Sequence, residues 1–176
     1  MAQDDSTTIW TIGHSTRSID DFASLLEENR IDVLVDVRRF PGSRRLPQFE
    51  SAALAGALVA RGISYKWIEA LGGRRRSDPS SINTAWRHQA FRAYADHMQT
   101  EEFADGLLEL LMIAHGARTA IMCAEVLWWR CHRRLIADAL TSLGIRVEHI
   151  MGDGKTALHK IAPPARLVAG AISYTS

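Results

Sequence analysis

Short apolar runs rich in β-branched residues alternate along this chain with stretches that carry an apolar stripe at helical spacing. The runs are predicted to be strands over residues 8–14, 32–38, 63–70, 118–124 and 145–150. The stretches between them are long enough to be crossover helices and too long to be hairpin turns. The chain is therefore predicted to be a single α/β domain, with a mostly parallel sheet of about five strands and helices on both faces.

Capping signals and terminators set the expected helix boundaries. Ser18 followed by Asp21 resembles a capping box at the start of a helix that ends near Arg30. Further helices are predicted over 50–61, over 84–117 in two parts with Thr100 as the cap between them, and from about 131 to 144. The predicted organisation is a disordered N-terminus over 1–7, one domain over 8–162, and a C-terminal tail over 163–176.

The composition is that of an ordinary globular domain, with 176 residues, 47% hydrophobic and 23% charged, and a formal net charge of +1. No stretch approaches the roughly 20 apolar residues of a membrane span, and the acidic N-terminus lacks the pattern of a signal peptide. We therefore expect a cytoplasmic protein with no membrane partner. Two cysteines are too few for a disulfide framework.

Polar, small or reactive residues follow each predicted strand. Ligands of parallel α/β sheets bind outside the carboxyl ends of the strands, so these residues are candidates for a common site. In chain order they are His14 and Ser15, Asp36 and Arg38, Gly72 and Gly73, Cys123 and Glu125, and His149.

The densest cluster of chemistry is Cys131-His132-Arg133, where a helix is predicted to begin. Unpaired backbone N–H groups, the helix dipole and the flanking positive charge would lower the pKa of the Cys131 thiol and attract an anion. Cys123 has two interpretations, a buried core thiol or a second sulfur of the same site.

A phosphatase loop and a zinc site are two other chemistries that could use the cysteines. A phosphatase loop needs a cysteine and an arginine separated by five residues, whereas Cys123 and Arg130 are separated by six. A zinc site would have to draw on Cys123, Cys131, His132 and either His14 or His149, in a spacing that matches no standard module. No cofactor is predicted, and zinc stays an alternative.

Asp36 lies inside a predicted buried strand, where an unpaired charge is costly, so it should have a partner. Arg38 is two residues away and therefore on the same face of the strand. Asp36 is expected to orient Arg38 or His14, with a role as general base as the alternative.

Two functions from other classes stay open. The arginine clusters, Arg44 with Arg45 and then 74–76, together with Trp128 or Trp129, would suit a nucleic-acid-binding module. The same indoles would also suit docking of a protein partner.

The motifs together resemble the DUF488 family of bacterial and archaeal proteins, over about residues 8–159. The segments that carry the resemblance are Thr11-Ile-Gly-His-Ser-Thr16, Val35-Asp-Val-Arg38, Leu71-Gly-Gly73, Met122-Cys-Ala-Glu125, Cys131-His-Arg133 and His149-Ile, with Gly154 and His159. The resemblance supports a shared site at the strand ends and implies no substrate or reaction.

The leading hypothesis is a pocket for a small anionic or phosphorylated ligand, in a cysteine-dependent hydrolase or transferase. Cys131 is the predicted nucleophile, with Glu125, His14 and Asp36 as acid, base or orienting groups. Arg38 and Arg133 are predicted to hold the anion. The other residues predicted to line the pocket are Ser15, Gly72, Gly73, Cys123, His132 and His149.

Overall fold

The computed structural model describes residues 7–176, and its centre is a six-stranded sheet. The strands of the sheet are β1 (Thr8–Gly13), β2 (Val33–Asp36), β3 (Ser64–Trp67), β4 (Thr119–Cys123), β5 (Arg146–Ile150) and β6 (Thr156–Leu158). Their order is β3-β2-β4-β1-β5-β6. All pairs among β1 to β5 are parallel, and β6 pairs antiparallel with β5 at one edge of the sheet. The predicted α/β class with a mostly parallel sheet is confirmed.

Helices connect the parallel strands and cover both faces. They are α1 (Ile19–Glu28), α2 (Ser51–Val59), α3 (Gln89–His97), α4 (Glu101–Gly116) and α5 (Arg133–Ser142). Ser18 and Thr100 cap α1 and α4 through their side chains, as predicted. Glu50 caps α2 by accepting from two backbone N–H groups, a role that the sequence analysis did not assign.

Alternation along the strands divides the core into two layers. Ile9 packs in the layer that contains α3, α4 and α5, whereas Trp10 and Ile12 pack in the layer that contains α1 and α2. Successive residues of a strand point to opposite faces, so both faces need apolar side chains. This explains why the central strands β1 and β4 have nearly continuous apolar sequences.

The C-terminal segment is more structured than the sequence suggests. Residues 163–176, predicted as a tail, contain a hairpin of β7 (Arg166–Val168) and β8 (Ala171–Ser173) and the buried Tyr174. These strands and β6 have three residues each, too few to display an alternating pattern.

At the N-terminus, residues 1–7 are predicted to be disordered. Residues 1–6 of this segment lie outside the described residues. Thr7 is described, and its carbonyl accepts a hydrogen bond from the backbone N–H of Arg146. Within residues 7–176, no helix is both long and apolar enough to cross a membrane.

Candidate functional site

Two sulfur atoms face each other at the carboxyl edge of the sheet. Cys123 is the last residue of β4, and Cys131 lies between a 3-10 turn (Trp128–Arg130) and the start of α5. Their Sγ atoms are 2.8 Å apart, and both cysteines are free and buried. The backbone N–H of Arg133, the first residue of α5, donates to the Sγ of Cys131 over 3.3 Å. The predicted helix start beside this sulfur is therefore present.

Arg133 is fully buried and holds its guanidinium against the thiol pair. Its Nε donates to the Sγ of Cys123 over 3.0 Å, and its Nη1 donates to the hydroxyl of Thr11 over 3.0 Å. Its Nη2 donates to the backbone carbonyls of Glu125 and Val126. A buried guanidinium is stable only when neighbouring groups compensate its positive charge. A thiolate shared by the two sulfurs supplies a negatively charged partner.

The pKa values of the two thiols are shifted in opposite directions. Burial by itself would raise the pKa of Cys131, but the hydrogen bond from Cys123 and the charge and N–H groups of Arg133 outweigh it and lower the pKa to about 7. Burial, together with the hydrogen bond to Cys131, raises the pKa of the Cys123 thiol. The pair therefore keeps one proton between its sulfurs above a pH of about 7.

His132 places an imidazole between the thiols and the neighbouring strand end. Its Nε2 lies 2.7 Å from the carbonyl oxygen of Val37, and a carbonyl only accepts, so Nε2 carries the proton. The Nδ1 is then unprotonated, and it lies 3.5 Å from the Sγ of Cys131. Burial lowers the pKa of His132, which keeps the ring neutral near pH 7.

The adjacent glycines allow the backbone to approach this cluster closely. A Cβ at Gly73 would lie 2.9 Å from the Nδ1 of His132, and one at Gly72 would lie 2.7 Å from the Cα of Arg39. A side chain at either position would overlap its neighbour. Glycine at these two positions therefore allows the backbone to pass close to its neighbours, in addition to forming a turn.

Beside the thiols, Asp36 and Arg38 form a buried ion pair. Arg38 donates to Asp36 through Nε and Nη2, the latter over 2.7 Å, and Tyr65 donates its hydroxyl to the same carboxylate over 2.6 Å. The remaining Arg38 donors reach the carbonyls of Phe49 and Pro41. The expected partner of Asp36 is thus confirmed, and Arg38 directs all its donors to acceptors of the protein.

His14 and Ser15 join this ion pair to the thiol strand. The backbone N–H groups of His14 and Ser15 donate to the carbonyls of Cys123 and Ala124. The His14 ring accepts from the Nη1 of Arg38 over 3.4 Å. Its Nδ1 donates to the carbonyl of Ser15, and burial lowers the pKa of this imidazole.

The loop after β4 crosses directly over the end of β1. A Cβ at Gly13 would lie 1.9 Å from the carbonyl oxygen of Glu125, so only glycine fits beneath the loop. The Glu125 carboxylate accepts from the backbone N–H of Leu127 over 3.1 Å and stabilises the turn. Its backbone carbonyl contacts Arg133, while the predicted acid-base role of its carboxylate stays a prediction.

A buried chain of hydrogen bonds leads from Arg133, at the start of α5, to Asp138 in the middle of the same helix. Thr11 Oγ1 lies 2.7 Å from His149 Nδ1, His149 Nε2 lies 2.9 Å from His159 Nδ1, and His159 Nε2 lies 2.8 Å from Asp138. Tyr174 donates its hydroxyl to the other oxygen of Asp138 over 2.7 Å. With both imidazoles neutral, each proton points toward Asp138, and Thr11 is free to accept from Arg133.

The structure brings most of the predicted residues to one edge but gives them different neighbours. Cys123, Cys131, His132 and Arg133 form one cluster, which we call the thiol cluster, and His14, Asp36 and Arg38 lie beside it. His149 is fully buried in the hydrogen-bonded chain. The predicted role of Arg38 and Arg133 in anion binding stays a prediction, because a ligand would replace contacts that they make within the protein.

The residues of the nucleic-acid alternative are distributed differently. Trp128 stacks on the buried ring of His149, with centroids 4.0 Å apart. Arg75 binds backbone carbonyls at positions 69, 70 and 72 and the carboxylate of Glu102. The other clustered arginines are exposed, namely Arg44, Arg45, Arg74 and Arg76.

Several contributors to the site were missed at the sequence level. Thr11 is a hydroxyl residue in a buried apolar strand, and Asp138 is an acid on the buried side of α5, so each carried the signal of a polar residue at an apolar position. Tyr65 and Tyr174 carried no comparable signal, since their partners are distant in sequence. His159 was named only as part of the family resemblance, without a role in the site.

The sequence makes Arg130 one of the positive charges near Cys131 and rules it out as the arginine of a phosphatase loop, and its surroundings in the structure give it further weight. The side chain directly precedes Cys131 and is exposed. Its guanidinium forms no ion pair with any residue between 7 and 176.

The chain's histidines, cysteines and carboxylates were also compared with the arrangement that a metal ion needs. Within the described part of the chain, no three or more of them form a group suited to holding a metal ion.

Comparison with known proteins agrees with the motifs. The comparison with curated proteins gave no significant match, and the comparison with solved structures gave none either. The sequence model described as "Domain of unknown function DUF488" matches residues 18–140. The match includes the thiol cluster, Asp36 and Asp138, and it ends before His149. The chain therefore belongs to the DUF488 family.

Proposed function

We propose that this protein is a thiol-dependent enzyme that uses Cys131 as its nucleophile on a small anionic substrate. The observation that carries the proposal is the environment of the Cys131 sulfur, which lies 2.8 Å from a second sulfur and beneath the N–H of Arg133. The thiolate is the reactive form of cysteine. With a pKa of about 7, Cys131 is about half ionised at neutral pH.

His132 supports the proposal as a proton acceptor. Its unprotonated Nδ1 faces the Cys131 sulfur at 3.5 Å, and its other nitrogen is fixed by the carbonyl of Val37. A base that is oriented by a third group beside a nucleophile is the arrangement found in thiol enzymes. In this proposal His132 takes up the Cys131 proton and Arg133 stabilises the resulting negative charge.

The preference for an anion rests on Arg130, which lies next to the nucleophile and forms no ion pair with any residue of 7–176. The guanidiniums of Arg38 and Arg133 are directed at acceptors of the protein, whereas that of Arg130 is exposed. An exposed arginine attracts carboxylate or phosphate groups from solution. Arg130 would therefore be the first positive charge that an approaching anion meets.

The nucleophile is tested by alkylation with iodoacetamide across pH, with the modified cysteine identified by mass spectrometry. We expect the rate at Cys131 to rise with a midpoint near pH 7, and Cys131→Ser to abolish this phase. A midpoint at the ordinary thiol value of 9.0, or no modification of Cys131 in the folded protein, would remove the basis of the proposal.

The anion preference is tested by the ratio of the rates with iodoacetate and iodoacetamide, which differ in charge. We expect Arg130→Gln to lower this ratio about threefold, the size of a surface charge interaction. Arg30→Gln is the matched control, because Arg30 is an exposed arginine that follows α1 and precedes β2, near the amino edge of the sheet. Equal ratios in wild type and Arg130→Gln would refute the role of Arg130.

A further inference from the structure

The separation of the two sulfurs is short enough for a bond to form between them with little movement. A disulfide has an S–S length of about 2.05 Å, and the Sγ atoms of Cys123 and Cys131 are 2.8 Å apart. The closure therefore requires less than about 1 Å. Cys123 is fixed in the central strand β4, whereas Cys131 belongs to the connection between two helical segments, where the shift can be absorbed.

Both sulfurs also have a donor that stabilises a negative charge on them. Arg133 reaches Cys123 through its side-chain Nε and reaches Cys131 through its backbone N–H. In thiol–disulfide exchange one sulfur attacks and another leaves, so the reaction is favoured when each can carry a thiolate. One arginine serves both sulfurs in this structure.

We propose that Cys123 and Cys131 form a redox-active dithiol that reduces a small anionic disulfide. This inference rests on the proposed function, with Cys131 as the attacking sulfur, and it names the class of substrate. Cys131 directly follows the exposed Arg130, so it is the sulfur nearer in sequence to the charge that would attract an anionic substrate.

The reaction proceeds in two exchanges. In the first, the Cys131 thiolate attacks one sulfur of the substrate, a mixed disulfide forms, and the other half of the substrate leaves as a thiolate. In the second, Cys123 attacks the Cys131 sulfur of the mixed disulfide, and the remaining half of the substrate leaves and takes up the Cys123 proton. The protein pair is oxidised to a disulfide, and the substrate is reduced to two thiols.

Oxidised glutathione, an anionic disulfide, is the probe for the test, applied anaerobically to the fully reduced protein. We expect the wild type to release two glutathione molecules per chain and to end as an internal disulfide, measured by mass spectrometry and thiol titration. Cys123→Ser should stop at the mixed disulfide on Cys131, and Cys131→Ser should not react. Arg130→Gln should slow the reaction with oxidised glutathione about threefold more than it slows the reaction with the neutral 2-hydroxyethyl disulfide.

The outcomes separate this inference from the proposed function. If Cys131 forms the mixed disulfide in both wild type and Cys123→Ser, and the wild type goes no further, the dithiol reaction is overturned while Cys131 remains the nucleophile. If oxidised glutathione modifies neither protein, the dithiol reaction is overturned, and the alkylation midpoint of Cys131 decides the proposed function separately. The wild-type result decides the inference even where a variant does not fold.

Discussion

Replacing Cys123 by alanine should make Cys131 a weaker acid. The pKa of Cys131 is lowered from its ordinary value of 9.0 to about 7, a preference for the thiolate of roughly 3 kcal/mol. A hydrogen bond to a charged group contributes about 1.5–3 kcal/mol, and the Cys123 thiol is one of the donors to this sulfur. Its loss should raise the pKa of Cys131 by about one, so that the thiolate fraction at pH 7 falls from about a half to about a tenth.

The rate of alkylation of Cys131 as a function of pH measures this change directly. At pH 7 the rate in Cys123→Ala should fall about fivefold, and the midpoint of the profile should move toward pH 8. Cys123→Ser is the matched control, because its hydroxyl can still donate to the thiolate and should keep the midpoint closer to that of the wild type. An unchanged midpoint in Cys123→Ala would refute the reasoning, because the Cys123 contact would then not contribute to the acidity of Cys131.

Three further predictions concern stability. Burial, together with the neighbouring His159 and Arg133, lowers the pKa of His149 to about 2. Between pH 7 and pH 5 this site takes up its proton only in the unfolded state, so His149 should contribute about 2 kcal/mol to the stability that the wild type loses in urea unfolding. The His149→Gln variant should lose about 2 kcal/mol less than the wild type over this range, and equal losses would contradict the assignment. Gly73→Ala should lower the free energy of unfolding by about 1–3 kcal/mol because its Cβ overlaps His132. Gly42→Ala is the control, because a Cβ at Gly42 lies in open space, and it should change this free energy by less than about 0.5 kcal/mol. Equal melting temperatures of the two variants would argue against the close contact at Gly73. Tyr174→Phe should cost about 1.5–3 kcal/mol in urea unfolding because it removes a hydrogen bond to a buried carboxylate, and a cost below about 0.5 kcal/mol would show that this contact is not stabilising.

The sheet and its carboxyl edge were predictable because period and strand direction are local properties of the sequence. The continuous apolar runs of β1 and β4 identify buried parallel strands, and a parallel sheet places all its strand ends at one edge. That rule alone brought Asp36 and Cys123 to the same region. The start of α5 beside Cys131 followed from the terminator and stripe of that helix.

The side-chain contacts within the site were not predictable, because they join residues that are far apart in the chain. Arg133 contacts Thr11 across 122 residues, and Tyr65 contacts Asp36 across 29 residues. Which of two buried arginines faces a thiol and which faces a carboxylate depends on side-chain packing at these crossings. The sequence indicated Arg38 and Arg133 alike as anion-binding residues, and the structure gives them different anionic partners within the protein.

The carbonyl that lies over Gly13 has a consequence for how this family can vary. Even one methyl group at position 13 would collide with the chain 1.9 Å away, so mutation cannot place any other amino acid there without rerouting the segment that contacts Arg133. Across related genomes, a glycine at the equivalent position should mark the members that retain this chain path. A member with a larger residue there should also have diverged at its cysteines.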